Sequence, residues 1–276
     1  MAPKKWFTED WYGMGFGATF SVTRKLLTRI TPFQKIEIYE SVACGKLAVF
    51  DNCVMLTERF HHFYHEMLVH PLLTPRMRAT QVAIIGGGDC GVLAEVLKHP
   101  HVTHVDQVEI DRIVTEVSKT FFPQLCATNH DPRTRFYFTD GIAWMKDTSE
   151  GRYDVIIVDS TDPVGMAAGL SGRDFYADCF RALRREGALV VQTGSPIFHR
   201  AHSHDVRASL RQTGLSDLET MTFPQPDYPS GIWSATVATK GGCLVRALPR
   251  STKMPSANYY SERVHAGALL FPSFAF

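Results

Sequence analysis

The sequence predicts an α/β fold: a mostly parallel sheet with helices on both faces, preceded by a small antiparallel β domain. Three observations carry this. From Thr80 onward, apolar strand segments alternate with helical ones. A glycine-rich turn, GGGDCG (86–91), joins the first of those strands to a helix. Ahead of them, from Thr19 to about Val54, short apolar–polar alternations are broken by turn residues.

In the first region, FSVTRKLLTRI and TPFQKIEIYESVACGKLAVFDNCVML read as strands and hairpins. KIEIYE alternates over six residues, and KLAVF is a short apolar run after Gly45. His61–Leu73 reads as a helix, with Phe63, Met67, Leu68 and Leu72 at helical spacing and Pro71 near its end. Then the alternation begins: QVAIIGGGD a strand, VLAEVLKH a helix, HVDQVEID a strand, RIVTEVSKTFF a helix. RFYFTD is a strand, GIAWMKD a helix and YDVIIVDS a very apolar strand. RDFYADCFRALRR reads as helical and ALVVQTG as a strand. A helix near His204–Arg211 follows, then strands near Leu218–Thr222 and Ile232–Thr239. The pattern divides the chain into a β domain over 1–60 and an α/β domain over 61–276; the stretch 240–276 is mixed in pattern.

With 276 residues, 45% of them hydrophobic, the chain can bury a sizeable core. Lys plus Arg number 29 and Asp plus Glu 28, a net charge of +1, which gives no reason to expect nucleic acid or an anionic membrane as partner. The six cysteines are widely spaced and form no CxxC pair, so neither a disulfide framework nor a zinc site fits. No secretory leader is recognisable in MAPKKWFTEDWYG, and no apolar run approaches the ~20 residues a bilayer span needs. A soluble cytoplasmic protein is expected.

Gly86 and Gly88 let the backbone turn tightly and approach a ligand. Glu109 closes the next strand, where a carboxylate suits the two hydroxyls of a ribose. The glycine turn ends in Asp89, while Asp140 and Asp159 end two further strands, and strand C-termini converge on the ligand crevice of an open parallel sheet. Four carboxylates would repel a pyrophosphate and suit a cationic nucleoside such as a sulfonium. Each Asp alone also suits a helix N-cap, Asp140 before GIAWM above all.

The run YHEM (64–67), IIGGGDCG, VEID, FTDG, VDSTDPVG and DYPSG resembles the polyamine aminopropyltransferases, in order and spacing across roughly 33–239. The resemblance implies a methyltransferase-like Rossmann domain with a seven-stranded sheet, behind the small β domain. It implies decarboxylated S-adenosylmethionine as cosubstrate, with no separate cofactor and no metal, and release of 5'-methylthioadenosine. Donor-binding residues implied are Gln34, His65, Asp89, Glu109, Asp140 and Gly141, with Glu109 on the ribose and Asp140 on the adenine amino group. Asp89 would pair with the donor's primary amine; it would repel the carboxylate that decarboxylation removes. The acceptor site implied is Tyr64, Asp159, Asp162, Gln192 and Tyr228. A diamine such as putrescine must lose a proton before it attacks carbon, and Asp159, helped by Tyr64, is the expected acceptor of that proton. Asp162 would orient the diamine. The loop VGMAAGLSG would close over the substrates. A homodimer or homotetramer, formed through the β domain, is also implied.

The chain departs from that family in three places. FHHF (60–63) stands where an acidic or amide pair is usual, the loop has Met166, Ala167, Ala168 and Gly169, and Asn52 stands where Gly is common. His61, His62 and His65 lack a fourth ligand at metal-site spacing. Trp11 reads equally as pocket lining or packing. Putrescine is the first choice of acceptor; spermidine, cadaverine, agmatine and a thermospermine-forming activity stay open. The rival readings are an S-adenosylmethionine-dependent methyltransferase, which Asp89 and the DSTDP run argue against, and a non-catalytic nucleoside-binding protein.

Overall fold

The computed structural model describes residues 5–10, 15–161, 169–244, 246, 248 and 252–270. Asp162, Met166–Ala168 and Trp11 lie outside the described residues. Five strands form an antiparallel N-terminal sheet in sequential order: β1 (Lys5–Asp10), β2 (Gly17–Ile30), β3 (Lys35–Ser41), β4 (Gly45–Phe50) and β5 (Cys53–Thr57). β1 escaped the sequence reading. Its six residues carry a single alternation, Phe7 and Glu9 pointing inward, and it gains its strand character from pairing with β2. The β4–β5 turn puts Asp51 at φ 46° and Asn52 at φ 69°. Asn tolerates this left-handed conformation better than most residues, which accounts for Asn in place of Gly at 52.

The second sheet has seven strands in the order β11–β12–β10–β9–β6–β7–β8. These are β6 (Gln81–Gly86), β7 (His104–Glu109), β8 (Thr134–Phe138), β9 (Tyr153–Asp159), β10 (Leu183–Gly194), β11 (Ser216–Pro224) and β12 (Ile232–Thr239). The five from β8 to β10 run parallel, and β12 and β11 close one edge antiparallel. The helices are α1 (His61–Leu73), α2 (Gly91–Leu97), α3 (Arg112–Phe121), α4 (Gly141–Asp147), α5 (Arg173–Ala182), α6 (Arg200–Gln212) and α7 (Glu262–Gly267).

β9 explains the layering. Its residues are almost wholly apolar because both faces are covered. Val155 and Ile157 pack with Met67, Leu68 and Leu72 of α1, while Ile156 and Val158 pack with Phe175, Tyr176, Val206 and Leu210 of α5 and α6. A third cluster joins the two sheets' domains: Ile36, Ile38, Ala48 and Leu56 meet Val114, Val117 and Phe122. α5 ends at Ala182, earlier than the helical run through Arg185 suggests. Leu183 is drawn into the sheet opposite Tyr153 and fully buried, and Glu186 turns the chain at φ 66°. Burial of Leu183 there outweighs the helix preference of the two arginines after it. Among the described residues no helix is long and apolar enough to cross a membrane, and five cysteines are buried, with Cys243 exposed.

Candidate active site

Strand ends build the site. Gly86 leaves β6 in register with Asp159 at the end of β9, and the amide of Gly87 donates to the Asp159 carbonyl at 2.8 Å. Gly86 has φ 87°, and a Cβ there would lie 2.0 Å from that carbonyl oxygen, so only glycine fits. The turn is held from below. Gln107 donates its amide to the carbonyls of Gly86 and Gly87, and Thr115 donates its hydroxyl to that of Gly88. These two props carry no motif signal in the sequence.

The turn, the β domain and α1 enclose a cavity of about 360 Å³. Gln34, Tyr64, His65, Gly86, Gly88, Asp89, Glu109, Asp140, Gly141, Asp159 and Tyr228, all expected from sequence, line it. Gln192 does not line it. It lines a smaller adjoining pocket of about 30 Å³ that shares Tyr64 and Tyr228 and adds Glu9 and Trp233. The Gln192 amide is already engaged, donating to the carbonyls of Ser160 and Thr161 and accepting from Trp233 Nε1 and the Gly194 amide. It therefore shapes the loop after Asp159. Glu9 is 2% exposed and accepts from the Val54 amide. Sequence reasoning missed it because β1 itself was missed.

Each carboxylate has a distinct setting. Glu109 accepts from the Asp111 amide at 2.8 Å; burial, with Asp111 and Asp159 nearby, pushes its carboxyl up to about 7. Asp111 accepts from Thr31, Gln34 and the Ile113 amide, so it caps α3 and ties the β domain to the site. Asp140 caps α4 through the Ile142 amide, the cap expected before GIAWM. Asp89 accepts from the Gly91 amide at 2.6 Å and from His65 Nε2 at 3.2 Å. Burial works to raise its carboxyl, and the positive His65 beside it outweighs that and lowers it.

Asp159 differs. Burial, and then the charge of Asp89, push its carboxyl up to about 7. Tyr64 donates its hydroxyl to Oδ1 at 2.9 Å, while the buried Oδ2 has no hydrogen-bond partner among the described residues. Burial and the same carboxylate raise the Tyr64 hydroxyl well above its ordinary value, so it stays protonated and acts as a donor. Tyr228 stands across the pocket, its hydroxyl on the Met55 carbonyl.

A seven-stranded sheet in this order, with a glycine turn and acids at successive strand ends, defines a methyltransferase-like Rossmann enzyme carrying an added β domain. Residues 61–246 match the spermine/spermidine synthase domain, and residues 5–58 match the spermidine synthase tetramerisation domain. A polyamine aminopropyltransferase of Methylococcus capsulatus is 45% identical over 98% of this chain and 95% of its own length. One from Xylella fastidiosa is likewise 45% identical over 98% and 95%. A spermidine synthase solved in complex with the transition-state analogue AdoDATO superposes with a TM-score of 0.93, at 29% identity over 99% of this chain and 95% of that one. The Thermotoga maritima spermidine synthase gives 0.91, at 29% identity over 99% and 94%. The chain belongs to the spermine/spermidine synthase family, and its reaction class is polyamine aminopropyl transfer.

Proposed function

We propose that this enzyme moves the aminopropyl group of decarboxylated S-adenosylmethionine to putrescine, giving spermidine and 5'-methylthioadenosine. The observation that carries the proposal is Asp159: a buried carboxyl pushed up to about 7, with one oxygen unpartnered among the described residues, that lines the larger cavity and accepts from Tyr64, a residue shared with the smaller pocket. Around it the donor is read as held by Glu109 on the ribose, Asp140 and Gly141 at the adenine, and Gln34, His65, Gly86 and Gly88 lining its cradle. Asp89 takes the donor's ammonium.

The acceptor enters beside Tyr64, Tyr228 and Gln192. Its attacking amine gives a proton to Asp159 Oδ2, and the freed lone pair displaces the thioether from the carbon next to the sulfonium. Tyr64 occupies Oδ1 and leaves Oδ2 as the basic oxygen. No cofactor or metal takes part, since the sulfonium is already a good leaving group and alignment does the rest. Asp162, from the sequence reading, is assigned to orienting the diamine. Glu9 is read as the partner of the far ammonium, a role the sequence reading left unassigned.

The test is to incubate the protein with decarboxylated S-adenosylmethionine and, separately, putrescine, cadaverine, agmatine and spermidine, and to weigh the products. Spermidine and methylthioadenosine as the dominant products are expected. A faster reaction with spermidine, or methyl transfer from S-adenosylmethionine alone, overturns the reading.

A further inference from the structure

His61 of the FHHF segment touches His65 and does not line the substrate cavity. The two Nδ1 atoms lie 3.3 Å apart, and His65 Nε2 lies 3.2 Å from Asp89 Oδ2. An ionised carboxylate only accepts, so His65 Nε2 carries a hydrogen. Its Nδ1 then either donates to His61, which makes His65 an imidazolium, or accepts from it, which makes both rings neutral. The contact survives in either state because His61 changes tautomer to match.

We propose that His61 and His65 form a proton-holding pair that neutralises Asp89 in the empty site and gives up its proton when the donor's ammonium takes Asp89. The inference rests on the donor assignment above. Two cations cannot share one buried carboxylate as well as one can. The His65 Nδ1 proton passes to His61 Nδ1 as the His61 Nε2 proton leaves for solvent, so that His61 Nδ1–H then donates to the neutral His65 Nδ1. No other bond changes.

The surroundings of both rings are consistent with this. His65 is buried, and a Cβ on Gly91 would lie 1.9 Å from its ring, so α2 packs directly against it. Burial opposes the imidazolium, but Asp89 of the β6–α2 turn, Asp159 at the end of β9 and Glu95 of α2 outweigh it and raise the His65 pKa. Asp227 of the β11–β12 loop faces the same ring. Glu58, His62, Glu95 and Asp89 face His61, where burial first and the His65 charge second depress the pKa to about 3. His65 is therefore the ring that carries the proton. His61 acts as a positioning residue.

Calorimetric titration in two buffers of different ionisation enthalpy counts the protons. At pH 6, decarboxylated S-adenosylmethionine is expected to release close to one proton more on binding than methylthioadenosine, which lacks the ammonium but carries the same ribose facing Glu109. Donor affinity relative to that of methylthioadenosine should rise by up to about tenfold per pH unit between pH 5.5 and 6.5. His61→Phe removes the partner of Nδ1 and should abolish most of this excess release, whereas His61→Asn, whose carboxamide can replace that partner, should restore it. His65→Gln, which cannot ionise, should bind donor without the excess. Donor binding in the unaltered enzyme without the excess release, or undiminished excess in His61→Phe, overturns the inference. Failure of the donor to bind at all overturns the donor assignment instead.

Discussion

At the scale of the residue, Asp159 concentrates the chemistry. Below about 7 its carboxyl in the empty site is protonated and cannot take the proton of an incoming amine. kcat/KM for the acceptor should therefore climb with pH through about 7, read from initial rates at constant ionic strength. Asp159→Asn should reduce turnover by about a hundredfold or more while donor affinity, measured by titration, is largely kept. The same residue has an opposite sign for stability. Its pKa is raised on folding, so the folded chain binds the extra proton between 3.8 and about 7, and stability declines as pH rises through that window. Asp159→Asn should accordingly raise the melting temperature of the empty enzyme at pH 8. A variant that loses activity and stability together would contradict this account.

At the scale of the element, α1 is the part on which the site depends. It delivers Tyr64 and His65 to the cavity from one side, and from the other Glu66 grips the C-terminal segment. The buried Glu66 carboxylate accepts the amides of Asn258, Tyr259 and Tyr260 at 2.7, 2.8 and 2.8 Å. Glu66→Ala leaves three backbone donors without their acceptor and should cost about 3 kcal/mol or more, seen as a lower denaturation midpoint. Glu66→Gln, which keeps one acceptor oxygen, should fall between. An unchanged midpoint in Glu66→Ala would mean that the segment is held by its apolar contacts alone. Much of this level was legible beforehand. The bounds of α1 and α4 match their helical patterns, and the strand-end acids fall where alternation put them. The grip of Glu66 was not legible, because its partners are backbone amides about 190 positions away, which leave no side-chain pattern to read.

At the scale of the molecule, the β domain presents large apolar side chains to the outside. Trp6 is 57% exposed, Ile30 76% and Val42 69%. A protein rarely leaves such side chains uncovered over one small domain, and we expect a dimer or tetramer assembled through this sheet. Native mass spectrometry should show more than one copy, and Ile30→Glu should shift the population toward smaller species with the fold intact by circular dichroism. A single-copy mass for the unaltered enzyme at micromolar concentration would refute the expected assembly.

The sequence by itself determined the sheet-and-helix alternation, the glycine turn and the identity of the strand-end acids, because each is written in contiguous residues with a period or a motif. It also carried the family resemblance. Only the tertiary structure decided what those acids do to one another. Asp89, Asp140, Glu109 and Asp159 are alike on paper, yet one is paired with an imidazole, one caps a helix, and two are pushed up to about 7. Burial and the distance to the next charge set those differences, and both come from segments far apart in the chain. The same holds for Glu9 and His61: the strand that carries Glu9 exists by pairing with its neighbour, and the meaning of His61 lies in the ring one turn further along α1.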